Sequence, residues 1–216
     1  MNIEQARFNM IEQQIRPWDV LDAGVLALLA VVRREDFVPP AHKALAFVDA
    51  EIPLDGGQHM LAPRVEARLL QELQVQRHER VLEIGAGSGF MAALLGHRAQ
   101  EVMSLEIRPA LAAQAAENLR RSGARNVTVI AADGADGLPD EAPFDAILLS
   151  GSVAKVPETL LAQLKPGGRL VAIEGVEPMM NAVRYTPGPD GFHRQALFDT
   201  VAARLDGFAE PSRFHF

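Results

Sequence analysis

The stretch Val81-Leu82-Glu83-Ile84-Gly85-Ala86-Gly87-Ser88-Gly89-Phe90 constrains the fold more than any other part of the chain. Its first four residues are apolar except for Glu83, the pattern of a buried strand with one special polar position. Three glycines at every second position then turn the chain, and Phe90 to Leu95 resumes with helical character. A strand, a glycine turn and a helix in this order let a ligand lie against bare backbone beside the amides of a helix N-terminus. The nucleotide fingerprint G-x-G-x-x-G needs a glycine where Phe90 stands, and no G-x-x-x-x-G-K-[ST] is present, so a phosphate cradle is not expected. What remains is E-x-G-x-G-x-G, followed by Glu106 at the end of the next apolar run.

Around this unit the pattern alternates. Strands are expected at 81–84, 101–106, 127–131, 144–149 and 169–173, separated by helices at 89–97, 109–122 and 157–164, which implies βαβ units and a mainly parallel sheet. The helix from Pro109 should stop at Gly123. At the end, 182–186 and 192–201 flank Pro187-Gly188-Pro189-Asp190-Gly191 and read as two antiparallel edge strands. The expected fold is α/β, a Rossmann-like doubly wound sheet of seven strands with an antiparallel C-terminal edge and an N-terminal helical cap.

Ahead of the sheet, residues 3–15 place Ile3, Met10 and Ile11 near one side of a helix that Arg16-Pro17 would end. Asp22 is positioned to cap a second helix through Val25, Leu26, Leu29 and Val32. Residues 49–63 have no helix or strand period, yet carry Ile52, Leu54, Met60 and Leu61, as a binding loop packed over something would. A helix follows from Pro63 through Val65, Leu69, Leu70 and Leu73. The division is therefore 1–63, cap and substrate loop, and 64–216, ligand-binding sheet domain, forming one compact unit.

Composition narrows the function. A chain of 216 residues has room for one substantial core. A net charge of −7 without a lysine- or arginine-rich run argues against an extended nucleic-acid face. The absence of cysteine excludes disulfides, cysteine–zinc sites and a thiol nucleophile, and no metal site is expected. No apolar stretch approaches the ~20 residues of a membrane span, and Met1-Asn2-Ile3-Glu4-Gln5 is not a signal peptide. Cytoplasm is the expected location and no membrane partner is expected; the oligomeric state is not legible.

In an open parallel sheet ligands bind outside the carboxyl ends of the strands. The loops there carry Gly85 to Gly89, Glu106, Asp133-Gly134 and Ser150-Gly151-Ser152, which should converge on one rim. An ionised Glu106 offers two acceptor oxygens to a sugar diol. Asp133 is either an acceptor for an amino group or a turn-forming Asp before Gly134.

Glu83-Ile84-Gly85-Ala86-Gly87-Ser88-Gly89 resembles the first motif of class I methyltransferases that use S-adenosylmethionine. That resemblance implies a cofactor held by Glu83, Gly85, Ala86, Gly87, Ser88, Gly89, Glu106, Asp133 and Gly134. The loop would face its amino-acid part and the acid after the second strand would take both ribose hydroxyls. The chain as a whole resembles the protein-L-isoaspartate (D-aspartate) O-methyltransferase family. The likeness runs from Met10-Ile11 through Arg33-Arg34-Glu35-Asp36-Phe37-Val38-Pro39, Asp49 and Gly57-Gln58 to Gln163-Leu164-Lys165-Pro166-Gly167-Gly168. It implies S-adenosylmethionine as cofactor, an isoaspartyl residue of damaged protein or peptide as acceptor, and a lid built from the N-terminal helices and the 49–63 loop.

The departures fall in the substrate loop, Gln58, His59, Met60 and Leu61. Across 49–63 the family reads D-x-P-L-P-I-G-x-G-Q-T-I-S-x-P, and here Leu61 replaces the serine whose hydroxyl stands beside the reacting carboxylate. His59 and Gln58 are the candidates for its work. The alternatives are a methyltransferase for a different acceptor, or a protein that binds S-adenosylmethionine without catalysis.

Overall fold

A computed structural model describes residues 2–210. Helix α1 (Ile3–Met10) starts at Asn2, whose side chain accepts the Gln5 N–H at 3.2 Å. The chain does not continue as one helix to residue 15. It widens into a π turn over Ile11–Ile15 and tightens into a 3-10 turn over Arg16–Trp18. Met10, Ile11 and Ile15 are buried, whereas Ile3 is exposed. Helix α2 (Ala23–Val31) is capped as expected, Asp22 Oδ1 accepting the Val25 N–H at 2.8 Å.

The segment read as irregular contains a small hairpin. Strand β1 (Ile52–Pro53) pairs antiparallel with β2 (His59–Met60) around a turn through Asp55–Gly57. Two residues per strand are too few for an alternating pattern to register. Helix α3 (Pro63–Leu73) then buries Val65, Leu69, Leu70 and Leu73.

The sheet elements follow: β3 (Arg80–Ile84), α4 (Phe90–Arg98), β4 (Glu101–Glu106), α5 (Pro109–Ser122), β5 (Val127–Ala131), β6 (Phe144–Val153), α6 (Glu158–Leu161), β7 (Leu164–Val176), β8 (Met179–Gly188) and β9 (Gly191–Asp199). Strand order is β5-β4-β3-β6-β7-β8-β9, with β3 to β7 parallel and β8 and β9 antiparallel. Order reverses between β3 and β6, which opens a crevice at their carboxyl ends.

Alternation along the strands sends successive side chains into two layers. From β6, Ala146 and Leu148 join Met10, Leu29, Phe37, Leu69, Phe90 and Leu94 on one face. Ile147 and Leu149 join Leu82, Leu105, Leu160 and Leu170 on the other. The N-terminal cap thus shares its core with the helices of the sheet domain. Several boundaries moved, β8 starting three residues before 182 and β7 ending three residues past 173 among them. Strand β6 runs four residues past 149, α6 stops at Leu161, and β7 begins at Leu164 because Phe144 pairs there before a bulge resets the register to Ala146–Arg169.

Candidate active site

Strand β3 ends where the loop from Gly85 crosses the end of β4. The Gly85 and Ala86 N–H groups both donate to the Leu105 carbonyl, at 2.8 and 3.1 Å. Next, the Gly87 N–H donates to Glu106 Oε2 at 2.9 Å, and the Arg108 N–H donates to Oε1 at 3.0 Å. Glu106 is buried and each of its oxygens has been used once. An ionised carboxylate has about four lone-pair sites, so this clamp fixes the group while leaving acceptors for two further donors.

Glu83 stands behind the loop, fully buried on the central strand. Its carboxylate accepts from Ser104 Oγ on β4 at 2.6 Å and from Ser150 Oγ on β6 at 2.7 Å. The two flanking strands therefore satisfy it from both sides. Burial pushes its pKa up to about 7, the two seryl hydrogen bonds work against this, and the charges of Glu66 and Glu106 add to it.

Two partners were not singled out from the sequence as site residues. Arg34, between α2 and β1, forms a buried ion pair with Glu66 of α3, and its Nη2 donates to the Leu61 carbonyl at 2.8 Å. The Arg34 guanidinium also lies over the Phe90 ring, 5.1 Å from its centroid. Burial pushes Glu66 up to about 7 against the pull of Arg34. The signal was a spacing: Glu66 stands four residues before Leu70 and seven before Leu73, a charge at a core position of an amphipathic helix.

The remaining expected residues divide. Gly85, Gly87, Glu106 and Gly134 line one crevice of about 40 Å3, together with Ile107 and Leu205. Behind it a cavity of about 20 Å3 is lined by His59, Leu61, Glu66, Glu83, Ala86 and Met91. Ser88 touches this cavity, but its carbonyl accepts from Asn118 Nδ2 at 2.9 Å, tying the loop to α5. Gly89 is not brought to either space; it is buried against Ala115 of α5. Asp133 makes the turn, Oδ1 accepting the Ala135 N–H at 2.9 Å, and its carboxylate faces Gly207. Met60 and Leu61 are buried in the core, and Gln58 and His59 are half-buried at the crevice mouth. Ser150 reaches both spaces from β6, whereas Ser152 lines neither and is bonded instead to the chain after β9.

What covers the rim is the chain after β9, which the sequence did not indicate. Ser152 Oγ donates to the Ala202 carbonyl at 2.8 Å, the Ser152 N–H to Ala203 O at 2.8 Å, and the Leu205 N–H to Ser152 O at 2.9 Å. This seats Leu205 on two glycines: a Cβ at Gly85 or Gly151 would lie 2.7 or 2.8 Å from its side chain. Beyond it, Asp206 pairs with Arg108, and the Gln58 carboxamide oxygen accepts from Arg108 Nη1 at 3.1 Å. On the outer side of this segment a groove of about 1010 Å3 runs past Glu51, Met180, Arg204 and Phe208 to His59.

The model of the protein-L-isoaspartate(D-aspartate) O-methyltransferase family matches residues 5–198. The chain belongs to that family. Protein-L-isoaspartate O-methyltransferase 1 of Syntrophobacter fumaroxidans is 41% identical over 197 residues, 91% of this chain and 92% of that one. The Myxococcus xanthus protein-L-isoaspartate O-methyltransferase is 47% identical over 152 residues, 70% and 72% of the two chains. A Plasmodium falciparum structure described under the same activity, in complex with S-adenosyl-L-homocysteine, superposes with a TM-score of 0.76 at 21% identity, covering 95% of this chain and 99% of that one. That likeness shows the shared fold, a Rossmann-like sheet. As a family member the chain is a methyltransferase that uses S-adenosylmethionine. Among the described residues no helix is long and apolar enough to cross a membrane, and no cluster of His, Asp or Glu is arranged to hold a metal ion.

Proposed function

We propose that this chain methylates the carboxylate of isoaspartyl residues in protein or peptide, taking the methyl group from S-adenosylmethionine. The observation that supports it is Glu106, held by the Gly87 and Arg108 amides with acceptor capacity to spare, beside main chain that carries no side chains at Gly85 and Gly87. In this reading Glu106 takes the ribose hydroxyls and Gly85, Ala86 and Gly87 face the amino-acid part of the cofactor. Ile107 and Gly134, with Asp133 nearby, bound the adenine. Glu83 and Ser88 hold the loop in shape from behind, and Gly89 lets α4 approach α5.

Bound S-adenosylmethionine supplies an already activated methyl group, so the chain's own task is alignment and exclusion of water. A ligand of that size fills hundreds of Å3. The crevice admits about 40 Å3 with Leu205 and Asp206 over it, so cofactor entry displaces the segment after β9. A net charge of −7 favours a protein or peptide over a nucleic acid as partner.

The test is direct. An isoaspartyl peptide and labelled S-adenosylmethionine should give a base-labile methyl ester, while the aspartyl isomer gives none; no ester from either would sink the reading. One observation favours a second reading, a different acceptor or binding without catalysis. Leu61 is buried and apolar, and its carbonyl is taken by Arg34, so it offers nothing polar to a carboxylate. Calorimetry showing cofactor binding, with no turnover across carboxylates, alcohols and amines, would select that alternative.

A further inference from the structure

His59 opens β2 and pairs across the hairpin with Pro53. Its side chain is the point where three spaces meet: the open groove, the crevice over Gly85 and Glu106, and the small cavity in front of Glu66 and Glu83. Its Nδ1 is buried and has no hydrogen-bond partner among the described residues. A buried polar atom left unpaired is costly, and in native sites it calls for a partner.

The neighbouring polar groups are already committed. Ser150 donates to Glu83, the Gln58 carboxamide meets Arg108, and Arg34 is divided between Glu66 and the Leu61 carbonyl. In the groove, Arg204 donates to the Gly175 carbonyl at 3.0 and 3.1 Å and pairs with Glu210 at 2.9 Å. The rest of the groove's charges, Glu51, Glu177 and Asp206, repel an anion. Among the described residues His59 lines the groove with Nδ1 unpaired; Arg34 Nε is unpaired as well, but Arg34 lines none of the three spaces.

We infer that His59 is the acceptor-positioning residue, a role that rests on the carboxylate-methylating function proposed above. Its ring N–H donates to one oxygen of the acceptor carboxylate and turns the other toward the sulfonium. That second oxygen forms the bond to the methyl carbon as the carbon–sulfur bond breaks, and the electron pair of that bond stays on sulfur. No proton moves, so His59 orients and selects the acceptor without acting as acid or base. The imidazole thereby does at 59 what Leu61 has no atom to do.

The experiment compares wild type, His59→Ala and His59→Asn, since an asparagine amide can occupy the place of Nδ1. Misplacement of a reacting group by about 1 Å can cost about 100-fold. Accordingly, kcat/KM for an isoaspartyl peptide should fall about 100-fold in His59→Ala and recover at least about tenfold in His59→Asn. S-adenosylhomocysteine binding, read beside it because His59 also borders the cofactor crevice, should fall much less than kcat/KM in both variants. Calorimetry on the complex with S-adenosylhomocysteine should show weaker isoaspartyl-peptide binding for His59→Ala. If His59→Ala loses S-adenosylhomocysteine binding, His59→Asn against His59→Leu gives the same comparison. Equal kcat/KM and equal peptide binding in all variants overturn the assignment alone. A wild type that makes no ester overturns the underlying function as well.

Discussion

Asp206 and Arg108 form an ion pair across the mouth of the crevice, joining the segment after β9 to the residue that follows the end of β4 by two positions. Leu205, one residue earlier, occupies the space above Gly85 and Gly151. The pair is partly exposed, and such pairs contribute about 0–1 kcal/mol. Asp206→Ala should therefore raise the population open to the cofactor, and its association rate, by up to about fivefold. Stopped-flow mixing with S-adenosylhomocysteine measures this. An unchanged rate would mean that this ion pair does not hold the segment closed.

Glu106 predicts a loss of affinity rather than of fold. Glu106→Ala removes the charged acceptor for two hydroxyls but leaves the strand and both clusters of the core in place. Hydrogen bonds to charged groups contribute about 1.5–3 kcal/mol each, so with two of them lost the dissociation constant for S-adenosylhomocysteine should rise by roughly 100-fold or more. Calorimetry at constant salt decides it, and a constant within twofold of wild type would remove Glu106 from the ribose role.

Much of this site could be read from the sequence because its acids break an apolar pattern. Glu83 interrupts a buried strand and Glu106 ends the next one, and both positions came out as expected. The helix stop at Gly123 and the two antiparallel strands at the C-terminal edge were legible for similar local reasons. What stayed hidden depends on distant pairing. Nothing near Leu205 in the chain announces that it rests on Gly85, 120 positions away. The Arg34–Glu66 pair also joins two elements whose separate patterns are silent about each other. The hairpin at 52–60 escaped because its strands are two residues each.

Glu83 should make the protein less stable as pH rises toward neutrality. Its carboxyl has a pKa of about 7 in the folded chain against an ordinary 4.5, so between these values the folded state holds a proton the unfolded state has lost. Stability from this group is full below about pH 4.5 and declines up to about pH 7, by at most about 1.4 kcal/mol per pH unit. Glu66, raised to the same region by burial, acts in the same direction. Urea unfolding at pH 5, 6 and 7 should show the decline in wild type and a flatter profile in Glu83→Gln. Identical profiles would show that Glu83 is ionised throughout.

Gly89 tests whether the third glycine of the motif serves the ligand or the packing of helices. Its φ is +84°, and an added Cβ would lie 3.1 Å from the Ala115 carbonyl oxygen and 3.3 Å from Ala115 Cα, both main chain of α5. Gly123 has nearly the same φ, +81°, with nothing within 4 Å of the added atom. The left-handed conformation costs a residue with a Cβ about 1–2 kcal/mol, and crowding main chain adds about 1–3 kcal/mol. Gly123→Ala should lower Tm by roughly 3–6 °C and Gly89→Ala by roughly twice that. Affinity of folded Gly89→Ala for S-adenosylhomocysteine should stay near that of wild type, since this residue lies against α5 and not in the crevice. Equal drops in Tm would mean that conformation alone demands glycine at 89; a lost cofactor affinity in a folded variant would return the residue to the ligand.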